Sequence, residues 1–167
     1  MTTPRRVRTP AAPAIDIIVE STSWKKQRGA KMVVRQAIVA AARAVPERTG
    51  ELAVVLTDDA AIRALNRTWR GKDEATNVLS FPAQSPPDTP TLLGDIVIAF
   101  ETTAREAQAE GKPFRHHLAH LAVHGYLHLA GHDHEADAEA EAMESLEIVV
   151  LARLKVPNPY IARDAKG

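Results

Sequence analysis

A single α/β (α+β) domain, with one small mixed sheet of four strands packed against about five helices, is what this sequence predicts. Three observations carry that expectation. Strand-like and helix-like segments follow one another in the order β-α-β-α-β-β-α-α-α. The 167 residues, 45% of them apolar, are enough to close one substantial hydrophobic core. One segment, PFRHHLAHLAVHGYLHLAG, is apolar round most of a helical circumference and therefore belongs inside the domain.

Each element follows from its local pattern. Residues 1–13 are rich in Pro, Arg and Thr and are expected to form a disordered basic tail, a plain solvated one. Residues 14–163 are expected to form the single domain. IDIIVE, from Ile15 to Glu20, reads as a buried strand. Trp24 to Val45 reads as a helix stopped by Pro46. ELAVVLTD, from Glu51 to Asp58, is a second strand, and Asp58 or Asp59 can cap a helix running to about Trp69. The polar run RGKDEATN, from Arg70 to Asn77, reads as a loop. VLSFP is a short strand whose closing Pro82 suggests a sheet edge, because proline cannot donate to a ladder. The proline-studded AQSPPDTPTLLG is a loop long enough to suggest function or mobility. DIVIAF, from Asp95 to Phe100, is the last strand. Helices follow from about Glu101 to Glu110, Pro113 to Ala130 and Ala136 to Leu154, and Pro157 and Pro159 close the structured part.

Composition removes several classes of function. Lysine plus arginine equals aspartate plus glutamate, 21 each, so contact with a polyanion has to come from a local basic patch. There is no cysteine, hence no disulfide, no thiolate nucleophile and no cysteine-type zinc finger. A metal site must use His, Asp or Glu. The N-terminal arginines are not followed by an apolar stretch and make a poor signal peptide. No apolar run approaches the roughly 20 residues that span a bilayer. The sequence reads as cytoplasmic, with no membrane partner.

HGYLHLAGHDH places four histidines in eleven residues, from His124 to His134. On a helix, His117, His120, His124 and His128 share one stripe. A buried imidazole needs a hydrogen-bonding partner or a metal. His124 and His128 are one turn apart and can reach a single ion. His120 lies roughly 12 Å before His128 along the axis, too far for all three to share it. His120 therefore reads as a hydrogen-bonded core residue or a support for a ligand, and His116 and His117 as helix-surface residues. Gly131 stands where a helix ends with positive φ, after which His132, Asp133 or His134 can turn back. Two histidines, a glycine turn and a further histidine make a three-histidine site with one tetrahedral position open, the arrangement of a catalytic zinc. The spacing H-x3-H-x5-H matches that of metzincin proteases, but Gly125 stands where those enzymes carry a glutamate base. Peptide hydrolysis is poorly supported.

The histidine block resembles the signature H-G-x-L-H-L-x-G-x-D-H of the YbeY family, bacterial rRNA maturation factors described as metal-dependent, single-strand-specific endoribonucleases. It is met by His124, Gly125, Leu127, His128, Leu129, Gly131, Asp133 and His134. A tyrosine is more usual where His132 stands, and His132 is assigned no role. LNRTWRGKDEATNVLSFP resembles the family's second block and LLGDIVIAF its third, in the same order, over about Ile15 to Ala162. The resemblance implies a zincin-like fold, one Zn²⁺ on His124, His128 and His134, and a functional arginine at Arg70. It implies cleavage of single-stranded RNA, work on 16S rRNA ends, and quality control of the small ribosomal subunit with its proteins as partners, and no action on DNA. Two other readings stand beside it: a zincin-like hydrolase of another substrate, and a ribosome-assembly factor whose zinc is structural.

RNA makes the missing glutamate intelligible. Either the substrate's own 2′-hydroxyl or a metal-activated water can attack, and a cation must neutralise the phosphorane; the metal serves as Lewis acid. Arg70 offers a planar fork for phosphate and sits with Lys72 in a small basic patch. Asp133 either orients a ligand imidazole or caps a turn. The acidic run EADAEAEAMESLE, ending at Glu147, reads as the solvated start of a helix, where carboxylates suit the dipole. Asn66, Thr76, Asn77 and Ser80 are equally candidates for a substrate groove and for caps or turns.

Overall fold

The computed structural model describes residues 13–48, 50–84 and 92–161. The tail expected over residues 1–13 lies outside these, apart from Pro13, as do residues 85–91 of the proline-studded loop. Strands β1 (Ala14–Val19), β2 (Glu51–Thr57), β3 (Val78–Pro82) and β4 (Leu92–Ala99) form one sheet in the order β1-β2-β4-β3. The first three in that order are parallel and β3 runs antiparallel to β4, so the sheet is mixed. Helices α1 (Ala30–Ala44), α2 (Asp59–Arg70), α3 (Phe100–Ala109), α4 (Phe114–Leu129) and α5 (Asp137–Arg153) complete the described fold.

The strands sort their side chains by alternation. Leu52, Val54 and Leu56 of β2, with Ile96 and Ile98 of β4, face a large core shared with α1, α4 and α5. Leu79, Val97 and Ala99 point the other way, onto Ile62 of α2. A sheet apolar on both faces has to be covered on both. The helix expected over Trp24–Val45 is broken. Thr22–Lys26 is a 3₁₀ turn, and Gly29, with φ 82°, separates it from α1. Tertiary packing decides this: Trp24 is buried against Phe100 and Phe114, and its indole N–H donates to the Thr57 carbonyl at 2.9 Å.

β3 lies at the sheet edge, as Pro82 suggests. Ala99 donates to the Asn77 carbonyl and Ala83 to that of Leu93, which fixes the ladder register. The alternate residues Val78, Ser80 and Pro82 thus turn their backbone groups outward, where a missing N–H has no consequence for the ladder. β4 begins at Leu92 instead of Asp95, its first residues pairing with Glu51 and Leu52 of β2.

Candidate metal centre

α4 is covered by the sheet and by α1, α3 and α5, so its polar side chains have to find partners within the protein. His124 and His128 meet each other: their Nε2 atoms are 3.1 Å apart. Two imidazole nitrogens that close need a shared proton or a shared cation. A tetrahedral zinc with Zn–N of about 2.0–2.1 Å separates neighbouring ligands by roughly 3.3 Å.

The third histidine arrives through the helix end. Gly131 has φ 99°, the Gly131 N–H returns to the His128 carbonyl at 3.1 Å, and His132 N–H returns to that of Leu127 at 2.9 Å. This pair of bonds is the Schellman motif, and a residue with a Cβ would be strained at its left-handed position. The reversed chain presents His134, and ligand atoms of His124, His128 and His134 all lie within 4.8 Å of one another. Asp133 caps this turn, accepting from the His134 N–H at 2.7 Å. His120 takes no part in the triad.

The donor set fits a metal ion. Burial, then the like charges of His124 and His134, pushes the His128 imidazole down to about 4, so at neutral pH it is neutral and able to serve as a ligand. His134 is exposed, which leaves the centre open to solvent on its side.

Behind the triad stands a residue that sequence reasoning placed in solvent. Glu147 of α5 is 0% exposed. Its Oε1 lies 2.6 Å from His124 Nδ1, and its Oε2 meets His120 Nε2 at 3.1 Å and accepts from the Tyr160 hydroxyl. Burial alone would raise the Glu147 pKa, but hydrogen bonds from His120, His124 and Tyr160 outweigh it and hold the carboxyl at about 2. Burial and the same carboxylate push the Tyr160 phenol well above its ordinary range. A carboxylate on Nδ1 fixes the His124 tautomer and turns the Nε2 lone pair towards the shared point. Glu147→Gln is expected to weaken metal binding by roughly 10- to 100-fold while the fold is kept, read by competition with a chromophoric chelator. Unchanged affinity would show that Glu147 does not orient the ligand.

His117, expected on the helix surface, is instead 4% exposed. α3 covers that part of α4 and supplies Glu106, whose Oε1 meets His117 Nε2 at 3.0 Å and also accepts from Asn77 Nδ2 at 2.9 Å. Burial, opposed by Glu106, keeps the His117 pKa below its usual value. Asn77 thus serves to tie β3 to α3. Asn66 is likewise a brace, its Nδ2 donating to the Glu74 carbonyl at 2.9 Å.

Gly125 explains why no glutamate follows the first histidine. A Cβ there would stand 2.8 Å from Ile96 Cγ2 on β4, so any side chain would be driven into the sheet. Gly125→Ala is expected to lower stability by up to roughly 2 kcal/mol: overpacking costs about 1–3 kcal/mol, and helix propensity returns about 1. Thermal unfolding measures this, and a melting temperature at or above the parent's would show that Ile96 gives way freely.

Arg70 is the last residue of α2, not a loop residue; the helix closes at Gly71, whose N–H bonds the Arg67 carbonyl at 3.2 Å. Its Nη2 donates to the outward-facing Ser80 carbonyl at 2.9 Å. Ser80 in turn donates from Oγ to the Gly125 carbonyl at 3.1 Å, beside His124. Arg63 and Arg105 are paired with Asp73 and Asp59. No carboxylate pairs with Arg70 among the described residues, so its charge is uncompensated.

Fold and site together define a small α/β protein with a three-histidine group that could hold a metal ion, open on one side and linked through Ser80 to an arginine. The profile of the endoribonuclease YbeY family matches residues 17–155. The chain is 55% identical over 159 residues to endoribonuclease YbeY of Rhodopseudomonas palustris strain BisB18, covering 91% of this chain and 95% of that protein. It is 54% identical over 160 residues to the one of Bradyrhizobium sp. strain BTAi1, covering 91% and 95%. The solution structure of TM1509 from Thermotoga maritima has the same fold, with a TM-score of 0.53 and 24% identity over 92% of this chain and 99% of that one. This chain belongs to the endoribonuclease YbeY family. No helix of the described residues is long and apolar enough to cross a membrane.

Proposed function

We propose that this protein is a zinc-dependent endoribonuclease of single-stranded RNA, acting in the cytoplasm on the 3′ end of 16S rRNA and in quality control of small subunits and 70S ribosomes. The observation that carries the cleavage reading is the three-histidine centre joined through Ser80 to an unpaired arginine. Family membership supports RNA as substrate, and the small ribosomal subunit as the place of action is what the resemblance of the sequence blocks implies.

His124, His128 and His134 would hold the ion, which supplies Lewis acidity at a phosphoryl oxygen. The chain's own residues do the rest. Glu147 holds His124 in the tautomer that faces the ion. Arg70, tethered by one nitrogen to Ser80, keeps the rest of its fork free to neutralise charge on the phosphoryl group. Because Gly125 excludes a carboxylate, the nucleophile's proton is not taken by a residue next to the first histidine. The 2′-hydroxyl of RNA lies beside the scissile phosphate and, once oriented, can attack phosphorus as the bond to the 5′-oxygen breaks. Its proton passes to water and the departing 5′-oxygen takes one from water, leaving a 2′,3′-cyclic phosphate and a 5′-hydroxyl. Short unstructured RNA should be cut, matched DNA and peptide should not, and a chelator should stop cleavage until zinc is restored. Cleavage indifferent to chelator, or equal turnover of a peptide, overturns the proposal. Equal cleavage of RNA and DNA would eliminate the 2′-hydroxyl as nucleophile.

A further inference from the structure

On the α2 side of the sheet, away from the histidines, lies a cavity of about 630 Å³. Val97 is part of its apolar lining, and Trp69 of α2 and Phe81 of β3 contribute aromatic rings. Arg70, Gln84 and Asp95 are polar residues on the same lining. Trp69 is 68% exposed, and its indole N–H has no partner among the described residues. The contrast with Trp24, buried and hydrogen-bonded, shows that Trp69 is not held there by the core. The Arg70 guanidinium lies over the Phe81 ring, 5.9 Å from its centroid.

A flat apolar ligand with hydrogen-bonding edges, tied to an anion, matches this lining. We infer that the groove is a nucleobase subsite for single-stranded RNA: one base lies against Trp69 and Phe81, and Arg70 takes the phosphate beside it. Asp95 repels a phosphate from the groove itself, which leaves the Arg70 side for the anion. Aromatic faces accept any base, since each has a π-face. Two hydrogen bonds, Arg70 to the Ser80 carbonyl and Ser80 Oγ to the carbonyl of Gly125, the residue after His124, link the groove's lining to the histidine-bearing helix. A strand crossing the edge of β3 would thus join cleavage to base binding. The inference rests on the RNA-cleaving function proposed above.

Single-turnover cleavage of a short unstructured RNA by the zinc-loaded full chain, at varied protein concentration, separates the half-saturating concentration from the saturated rate. Trp69→Ala should raise the half-saturating concentration roughly five- to hundred-fold, with a smaller effect on the saturated rate. Trp69→Phe, which keeps a ring, should recover most of the loss. Both should melt near the parent, because the side chain lies in solvent. An RNA with one abasic position should bind the parent as weakly as the intact RNA binds Trp69→Ala, and the two losses should not add. An unchanged half-saturating concentration in Trp69→Ala, with the parent active on RNA, overturns the subsite alone. So does full additivity at every abasic position. A parent inactive on RNA overturns the cleavage reading and the subsite with it.

Discussion

His128→Ala should leave the centre without its metal and slow RNA cleavage by at least about a thousandfold. Its Nε2 stands 3.1 Å from that of His124, and the two are the candidate ligands that the helix itself positions. With only His124 and the exposed His134 remaining, affinity for a divalent ion should collapse, since structural and catalytic zinc sites rest on at least three protein ligands. Loss of the Lewis acid removes several kcal/mol of charge stabilisation, and each 1.4 kcal/mol is about tenfold in rate. Metal content per chain, cleavage rate and circular dichroism are measured on the same sample. His134→Ala should behave likewise. His120→Ala should retain most of the metal, because its Nε2 is directed at Glu147. If His120→Ala emptied the centre while His134→Ala did not, the ligand assignment would be wrong.

Arg70→Ala should keep its zinc, melt near the parent and cleave RNA roughly a hundred to a thousand times more slowly. The side chain is exposed and makes no ion pair among the described residues, so little folding energy depends on it. Among the described residues no strand pairs with the outer edge of β3, so the Ser80 carbonyl it leaves behind can be hydrated there. On the function proposed above, what is lost is a fixed, planar cation at the phosphoryl group. Arg70→Lys keeps the charge but not the fork, and should regain only part of the rate. Full activity in Arg70→Ala, at unchanged zinc content, would falsify its role in the reaction.

The parts of this fold that could be read in the sequence are those governed by local chemistry. Strand alternation in β2 and β4, proline at the end of β3 and glycine at the end of α4 each act within a few residues. The histidine pair and the residue that turns back towards it also lie within one short segment, which is why the triad was legible. What escaped depends on partners distant in the chain. His117 looked exposed because nothing near it announces that Glu106 of α3 will cover it. Glu147 was hidden in an acidic run, although a signal was present. It shares the buried stripe of α5 with Met143, Val150 and Leu151, at helical spacing, and a lone carboxylate in such a stripe demands a partner. Tyr160 lies beyond the last helix, and only the path of the C-terminal segment brings its hydroxyl to Glu147. The broken first helix reflects the pull of the Trp24 ring cluster on a segment whose propensity alone favours continuation.

The outward edge of β3 has a consequence for life in a crowded solution. A free strand edge offers unpaired carbonyl and N–H groups to any passing extended chain, including the same edge of a second molecule. Here the edge is five residues long, Pro82 deprives it of one donor, and the Arg70 guanidinium sits on the Ser80 carbonyl. A cation held at that point makes docking of a second, identical edge electrostatically unfavourable, because two guanidinium groups would be brought together. An anionic polymer meets the opposite field. At this point of the edge the fixed charge therefore favours a polyphosphate strand over a second edge carrying the same cation.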